Sequence, residues 1–579
     1  MRTRLALSLV AGAALGAPLI ASAQPADPQP AADPATVPAA PVVDEAKIKE
    51  IVDGEVARIL NERAAKEAAD RAAKEQADKD AAATDKSGPS DLEGSSGLMD
   101  TRIAFTITNE NVLVKPGETI PSVPGWRFGV PNSLGVLFFD NYDTRFSGFE
   151  TLTHAVAYRK YHKGHFDAEG ALVFRVNEIS EKTLDLSDAG TYITLSNWKD
   201  PSHKDPTRIS LTAFPVSSDR MRLGYSYRLS WGGSPEYRRV TSRNATPGIK
   251  IQYDTRNMYA FVGAKTAVVL DRATAEEHAE QAFLAGAGID PTDMVRFEVN
   301  GGYFNRGNNE LVDVNTEAVR LFGASAQLAI HKGMPVQSSI DYKLYKNNNE
   351  RVSGLFNPVK YPGGLSWLAM AEFTALGQTL KDPEKTGATT VQKGYAGDVN
   401  VRIMIDRIRV RFDASMRTLA FILHSQPSLP TYSDFPSDYA TSPDYFAALG
   451  FDRNWNDFLT LGLVVGVDKP ATLTSSKGIP GGMTGETGES TAVIRNNNID
   501  TLITILPAGK EAVPQFALKG SAKLDFGRIY SAVLEVFYSY DGNVTRYSRV
   551  DEGNTESPFA FEFGNFNQLG INATLQARF

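Results

Sequence analysis

Arginine recurs at alternate positions of one short segment near residue 410. Arg409 and Arg411 alternate with apolar residues, and Arg417 follows in the same phase. Side chains at alternate positions of a β-strand face the same side. These guanidinium groups are therefore predicted to share a face with Arg402, which precedes them across a two-residue turn. A guanidinium fork suits carboxylate or phosphate oxygens, so the pattern predicts a surface that attracts anions.

The same phase can be followed through other alternating segments, and it places more basic than acidic residues on the polar face. The acidic residues predicted on this face include Glu298, Glu372 and Asp413. Basic rings favour anions in a pore, whereas ordinary pairing of arginine with nearby acids is the alternative interpretation. The residues predicted to line a solute path are Arg222, Arg228, Arg296, Arg402, Arg409, Arg411, Arg417, Lys519 and Lys523.

Catalytic and metal-binding chemistry finds little support in the sequence. The chain has no cysteine and 7 histidines, and it contains neither G-x-S-x-G nor H-E-x-x-H. His154, His162 and His165 surround one predicted turn, but a chance surface grouping is the more ordinary interpretation. We predict no enzymatic activity, no cofactor and no metal. A net charge of -8 over 579 residues gives no reason to propose a nucleic-acid partner.

Segments of two-residue alternation fill the chain from about residue 100 to its end. The clearest are 221–231, 408–416, 516–526 and 530–540, and further segments include 336–344 and 459–467. At about 10–14 residues they are long enough to cross a bilayer as tilted strands. Aromatic residues lie at their ends, and tight turns, such as 217–220, 254–257 and 406–407, alternate with long polar loops. We therefore predict an all-β transmembrane antiparallel barrel of 16 or 18 strands over residues 100–579 rather than a soluble sandwich.

The C-terminal segment alternates up to the last residue of the chain. It resembles the C-terminal signal strand of Gram-negative outer-membrane proteins, whose terminal phenylalanine is read by the barrel assembly machinery. The resemblance implies that this machinery is a partner. The apolar positions that carry it are Leu569, Ile571, Ala573, Leu575, Ala577 and Phe579.

The first 99 residues have a different character. Residues 1–23 have the charged start, apolar stretch and Ala-Ser-Ala site of a signal peptide. Residues 24–43 are a Pro/Ala-rich spacer, and 87–99 are a linker. Between them, 44–86 have a helical composition with one narrow apolar stripe. We predict a periplasmic helix that self-associates as a coiled coil; a solvated spacer helix is the alternative.

The order of signal peptide, spacer, helix and barrel resembles two families: trimeric dicarboxylate-type porins with a periplasmic coiled coil, and phosphate-selective porins. The resemblance implies a homotrimer in contact with outer-membrane lipid and lipopolysaccharide. It also implies an inward constriction loop and uptake of small anions. Two loops are candidates for the constriction: 271–292, with an N-capping pattern and a short Ala-rich helix, and 424–444, which is rich in aromatic residues.

The leading functional prediction is an outer-membrane porin, a passive diffusion channel for small hydrophilic solutes with a lean toward anions. A structural anchor that tethers the membrane to peptidoglycan through the N-terminal helix is the alternative. A TonB-dependent transporter is disfavoured, because such a protein needs about 22 strands and a folded plug.

Overall fold

The computed structural model describes most of the chain beyond residue 153 and short pieces before it. The chain divides into Met1–Lys86 and Ser87–Phe579. The first unit, with the predicted signal peptide, spacer and helix, lies outside the described residues. The described residues are 97–98, 102–109, 111–113, 125–128, 137, 154–179, 184–188, 190–219, 221–226, 228–233, 245–270, 276–307, 318–334, 336, 361, 363–424, 432–476, 490–496, 501–527, 529–549, 559–564 and 566–578.

The secondary structure of these residues is almost entirely β. The strands of the first half are β1 (Gly97–Leu98), β2 (Arg102–Asn109), β3 (Gly125–Phe128), β4 (His154–Lys163), β5 (Phe166–Ile179), β6 (Leu184–Asp188), β7 (Tyr192–Trp198), β8 (Arg208–Phe214), β9 (Gly248–Asp254), β10 (Met258–Leu270), β11 (Glu277–Thr292), β12 (Val295–Asn305) and β13 (Arg320–Lys332).

The second half contains the longest strands and one helical turn. Its elements are β14 (Leu365–Lys381), β15 (Thr389–Ile405), β16 (Ile408–Arg417), α1 (Leu419–Leu423), β17 (Tyr439–Ser442), β18 (Asp444–Trp455), β19 (Leu459–Lys469), β20 (Ala471–Ser475), β21 (Ser490–Asn496), β22 (Thr501–Ile505), β23 (Gln515–Phe526), β24 (Tyr530–Tyr540), β25 (Thr545–Arg549), β26 (Phe559–Phe563) and β27 (Asn567–Arg578).

One large sheet of 21 strands contains nearly all of these elements. Its main strands pair antiparallel in chain order, from β4 and β5 through β7–β16, β18, β19, β23 and β24 to β27. At the ends of this series, β27 pairs with β2, and β1 pairs with β4. Two small sheets accompany it: β17, β20, β21 and β22 in one, β25 and β26 in the other. The predicted all-β antiparallel class is confirmed.

The two faces of the large sheet differ in the way that the alternation predicted. On β12, Phe297 and Val299 are each 44% exposed. The residues that alternate with them, Arg296, Glu298 and Asn300, are buried. The other long strands repeat this pattern, with apolar residues on the outer face and mostly polar residues on the inner face. A protein in water normally buries its apolar face, so the inverted pattern needs an apolar medium outside the sheet.

Tight turns and long connections both occur along the large sheet. The turn between β15 and β16 consists of two residues, and Asp406 adopts a left-handed φ of 49° there. The turn between β9 and β10 is similarly short, as predicted. The longer connections include 215–247, 418–443 and 470–514. Among the described residues, no helix is long and apolar enough to cross a membrane.

The prediction of a strand over 221–231 is wrong. β8 ends at Phe214 and β9 begins at Gly248, so the segment belongs to the long connection between them. The predicted tight turn over 217–220 belongs to the same connection. Leu223 and Trp231 form an isolated antiparallel bridge and are fully buried. A membrane strand would expose one apolar face to lipid, whereas these side chains pack against the inner face of the sheet.

One of the two predicted constriction loops has another structure, and the role of the other stays a prediction. The predicted Ala-rich helix in 271–292 is wrong, because β11 occupies 277–292 and pairs along its length with β10. Sheet pairing here overrides the helical propensity of alanine. In 424–444, Phe435 and Tyr439 pack on the cluster formed by α1 and the small β17 sheet. The predicted strand at 336–344 lies outside the described residues, apart from Val336.

Candidate functional site

The connection between β8 and β9 enters the space bounded by the inner face of the large sheet. We call residues 221–233 the inner loop. The indole Nε1 of Trp231 donates a hydrogen bond to Ser325 Oγ on β13 over 3.0 Å. The backbone N–H groups of Tyr225 and Ser226 both donate to Glu372 Oε2 on β14, at 3.0 and 2.7 Å. The inner loop is therefore bonded to the wall formed by β13 and β14.

Lys265 on β10 joins the two sides of the base of the inner loop. Its ammonium donates to the carbonyl oxygens of Ser218, at 2.8 Å, and Gly232, at 2.6 Å. The lysine side chain is almost completely buried. A buried ammonium must have hydrogen-bond acceptors. The position of Lys265 on β10 therefore determines where the inner loop departs from the sheet.

Arg228 connects the inner loop to strands much further along the sheet. Its Nη2 lies 3.0 Å from Asp444 Oδ1 on β18 and 3.2 Å from Asp468 Oδ1 on β19. Arg417 on β16 shares Asp444, with Nε 3.1 Å from Oδ1. All four side chains are buried. Two guanidinium and two carboxyl groups thus form a compact ionic cluster between the loop and the sheet.

The predicted arginine ladder lies on the inner face of β16, but the facing strand supplies acid to it. Arg409 Nη2 is 2.6 Å from Asp452 Oδ2 on β18, and Arg411 Nη2 is 3.4 Å from the same oxygen. Gly450 leaves the room for this arrangement, since a Cβ there would lie 2.9 Å from Arg411 Nε. The positive charge of the ladder is therefore partly compensated within the protein.

The other predicted path residues are likewise near acids or backbone oxygens. Arg296 forms a bidentate pair with Asp290, at 2.6 and 2.9 Å. Lys519 lies 3.8 Å from Glu535, and Lys523 lies 2.9 Å from Asp525. Arg402 stands opposite Arg411 in the β15–β16 register. Arg222, on the inner loop, donates to the Ser230 carbonyl over 3.3 Å.

Sequence reasoning missed the acidic residues that pair with the arginines. Asp444 and Asp452 are inward positions of β18, a strand that the prediction did not identify. A signal was present, because exposed Tyr445, Leu449 and Phe451 alternate with the buried positions of that strand. Asp468 follows the predicted segment 459–467 by one residue and was overlooked for that reason.

The inner face is not equally buried along the sheet. On β9 to β13 the inward side chains include Phe261, Phe304 and Leu321, all with 3% exposure or less. On β19 and β23, by contrast, inward Gly462 and Lys519 are only partly buried. Inward positions that are partly accessible to water therefore occur on β19 and β23, beside buried ones such as Asp468 and Lys523.

Comparisons with known proteins return structures only. No family model and no curated protein matches the chain. Among solved structures, Pseudomonas aeruginosa OpdQ is 7% identical with a TM-score of 0.38, over 84% of this chain and 96% of that one. OpdL of the same species is 9% identical with a TM-score of 0.38, over 84% and 99%.

OmpT, an outer membrane protein of Vibrio cholerae in its trimer form, is 8% identical with a TM-score of 0.32, over 84% of this chain and 99% of that one. The sequence layout predicted a resemblance to porins, and these solved structures are proteins to which the chain is similar.

Proposed function

We propose that the chain is an outer-membrane channel of the diffusion-porin type in a Gram-negative bacterium. The observation that carries this proposal is the inverted alternation of the large sheet, with apolar side chains exposed outward and polar side chains inward. Such a sheet is stable when lipid covers its outer face and the polar face lines a lumen. A passive channel for small hydrophilic solutes is the function that this arrangement supports best.

The pairing of the terminal strands supports closure of the sheet into a barrel. β2 pairs with β27 over eight residues, while β1 pairs with β4. If β1 and β2 are pieces of one strand, the series of neighbours contains 18 strands and has no free edge. That number agrees with the even strand count of bacterial barrels.

The proposed solute path follows the polar inner face past the inner loop. We retain the nine basic residues predicted from the sequence as its candidates, of which Lys519 and Lys523 lie on β23. The acid partners of the arginines limit the field available to a solute. We therefore propose a weak anion preference.

The reversal potential of the purified protein in a planar bilayer under a KCl gradient tests both parts of this proposal. We expect stepped conductance with a modest anion preference that falls in the double variant Arg409→Gln/Arg411→Gln. Arg453→Gln is the matched control, since Arg453 is an outward residue that lies over the Trp455 ring. Cation preference in the unmodified protein would reject the basic path but keep the channel. Absence of conductance would reject the channel.

We also propose a homotrimer in the outer membrane. A shallow groove of about 610 Å³ on the outer face of β14–β18 supports an interface there. Its lining includes the small residues Ala371, Gly397, Ala414 and Ala447. Cross-linking of Ala447→Trp should give monomers if this groove is the interface, and unchanged trimers if lipid alone fills it.

The N-terminal segment has two proposed roles that one deletion can separate. In the first, the helix over 44–86 trimerises in the periplasm; in the second, it tethers the barrel to peptidoglycan. Deleting 44–86 should abolish the trimer in the first case. In the second, the trimer should persist while the envelope detaches. Recognition of the C-terminal strand by the barrel assembly machinery is proposed as well, with Phe579→Ala expected to lower the amount of assembled protein.

A further inference from the structure

Three metal-ligating side chains meet where two neighbouring connections of the large sheet come together. His162 lies near the end of β4, Asp167 near the start of β5, and His203 in the connection between β7 and β8. His162 Nδ1 is 2.5 Å from Asp167 Oδ1, and His203 Nε2 is 3.7 Å from the same oxygen. The three donor atoms all lie within 4.8 Å of one another.

The carboxylate of Asp167 is held so that one oxygen faces both histidines. Its Oδ2 accepts a hydrogen bond from Trp198 Nε1 over 3.0 Å and lies 3.2 Å from Lys160 Nζ. Oδ1 is the atom that faces the imidazoles. Carboxylate oxygens fixed by outer hydrogen bonds in this way are typical of monodentate metal ligands.

His203 supplies an independent observation that points to a ligand. Its Nε2 is buried and has no hydrogen-bond partner among the described residues. The ring stacks on Trp198, with centroids 4.1 Å apart, and so the nitrogen is held toward Asp167. Burial lowers the pKa of His203 below its usual value, although the nearby Asp167 carboxylate opposes that shift. Its position beside Asp167 makes Nε2 the candidate donor atom of His203.

We propose that His162, Asp167 and His203 bind a borderline divalent transition-metal ion, for which Zn²⁺ is the representative. Two imidazoles and one carboxylate are a ligand set of zinc sites that keep a fourth position for water. Oxygen-seeking Mg²⁺ and Ca²⁺ would not choose it. Ligand distances of about 2.0 Å at tetrahedral angles require donor atoms roughly 3.3 Å apart, so small side-chain rotations complete the site.

A bound ion would tie the β4–β5 turn to the β7–β8 connection. The site lies at one end of the sheet, away from the inner loop and its ionic cluster. Metal binding is therefore expected to stabilise this end without changing the conductance. The cationic groups around the site are Lys160, whose ammonium faces Oδ2, and Arg208, which lies over the Trp198 ring.

Isothermal titration of ZnCl2 into the full-length protein, first stripped with EDTA in detergent, tests the proposal. We expect one Zn²⁺ per chain, and His203→Phe should bind at least about tenfold more weakly. Phenylalanine keeps the stack on Trp198 but removes the nitrogen. His162→Gln provides a second variant, in case His203→Phe fails to fold. Resistance of the folded barrel to dissociation by detergent on gels monitors folding.

His278→Ala is the matched control, because His278 is an exposed histidine near Glu276 outside the cluster. Its affinity should equal that of the unmodified chain. Co²⁺ added in place of Zn²⁺ should give the visible bands of a four-coordinate site, and they should disappear in His203→Phe. Absence of Zn²⁺ binding, or equal binding by the unmodified chain and folded His203→Phe or His162→Gln, would overturn the assignment.

Discussion

The inner face of the sheet is used differently along its length. Between β9 and β13 part of it packs against the inner loop, with Trp231 near Phe304, although Glu298 and Asn300 on the same face are polar. Between β15 and β24 it bears ion pairs such as Arg409 with Asp452 and Lys523 with Asp525. We call these the packed region and the charged region. An alternating strand thus specifies that its faces differ, but the neighbouring segment determines whether the inner face meets protein, counter-charge or water.

The largest effect is expected from removing the inner loop, which fills the packed region. Leu223 and Trp231 already form an antiparallel bridge, so an Asn-Gly turn can replace 224–230. Single-channel conductance should rise about two-fold or more, because a segment across the lumen is lost. A linker of equal length inserted in the β14–β15 connection at 382–388 is the control. Unchanged conductance would mean that the loop does not limit the passage.

Removing the cation that links the two regions should be the next largest effect. Arg228→Gln removes the guanidinium between Asp444 and Asp468 and leaves Asp444 paired with Arg417. Breaking a buried pair in this way costs about 3–5 kcal/mol, so the chain should unfold at lower denaturant concentration. Arg222→Gln is a matched control on the same loop, since Arg222 donates to the carbonyl of Ser230. Equal losses in the two variants would contradict the importance of the cluster.

The ion pairs of the charged region can also be tested by removing an acid instead of a base. Asp452→Asn keeps the shape of the side chain but uncovers the charge of Arg409 and Arg411. The reversal potential should shift toward stronger anion preference, opposite to the change expected for Arg409→Gln/Arg411→Gln. Asp457→Asn is the control, since that acid is exposed and pairs with exposed Arg407. A shift in both variants would indicate a general surface-charge effect.

The smallest effect concerns one hydrogen bond of the packed region. Trp231→Phe removes the bond from the indole to Ser325, while that hydroxyl still lies 2.8 Å from Thr374 Oγ1. The loss should be about 0.5–1.5 kcal/mol, measured as a small decrease in the denaturant midpoint with little change in conductance. A large conductance change would mean that this single contact positions the whole loop.

The sequence predicted the features that depend on one strand at a time. The inward phase of Arg409, Arg411 and Arg417 is correct because a two-residue period is a property of the strand itself. Their pairing with Asp444 and Asp452 depends on which strand lies opposite and in which register. Neither the opposite strand nor its register can be deduced from the two-residue alternation of β16. The positive surface predicted from the sequence was therefore overestimated.

The error at 221–231 has a related cause. Leu223 and Trp231 alternate with polar residues as they would in a lipid-facing strand, but the loop meets protein on all sides. Period two reports a difference between two faces and not the medium that each face meets. The error at 277–292 arose because alanine favours helices in isolation, whereas β10 and β12 supply partners for a strand. No residue pattern near 162–203 indicates that His203 approaches Asp167.

Arg228 also has a consequence for the order of folding. Lys265, which anchors the base of the loop, is 33 residues from Gly232, whereas Asp444 and Asp468 are 216 and 240 residues from Arg228. The base can therefore dock as soon as β10 has formed, and Tyr225 and Ser226 can bond to Glu372 once β14 has formed. The carboxylates of Asp444 and Asp468 become available to Arg228 only with β18 and β19, so this ionic pairing is a late event in the assembly of the sheet.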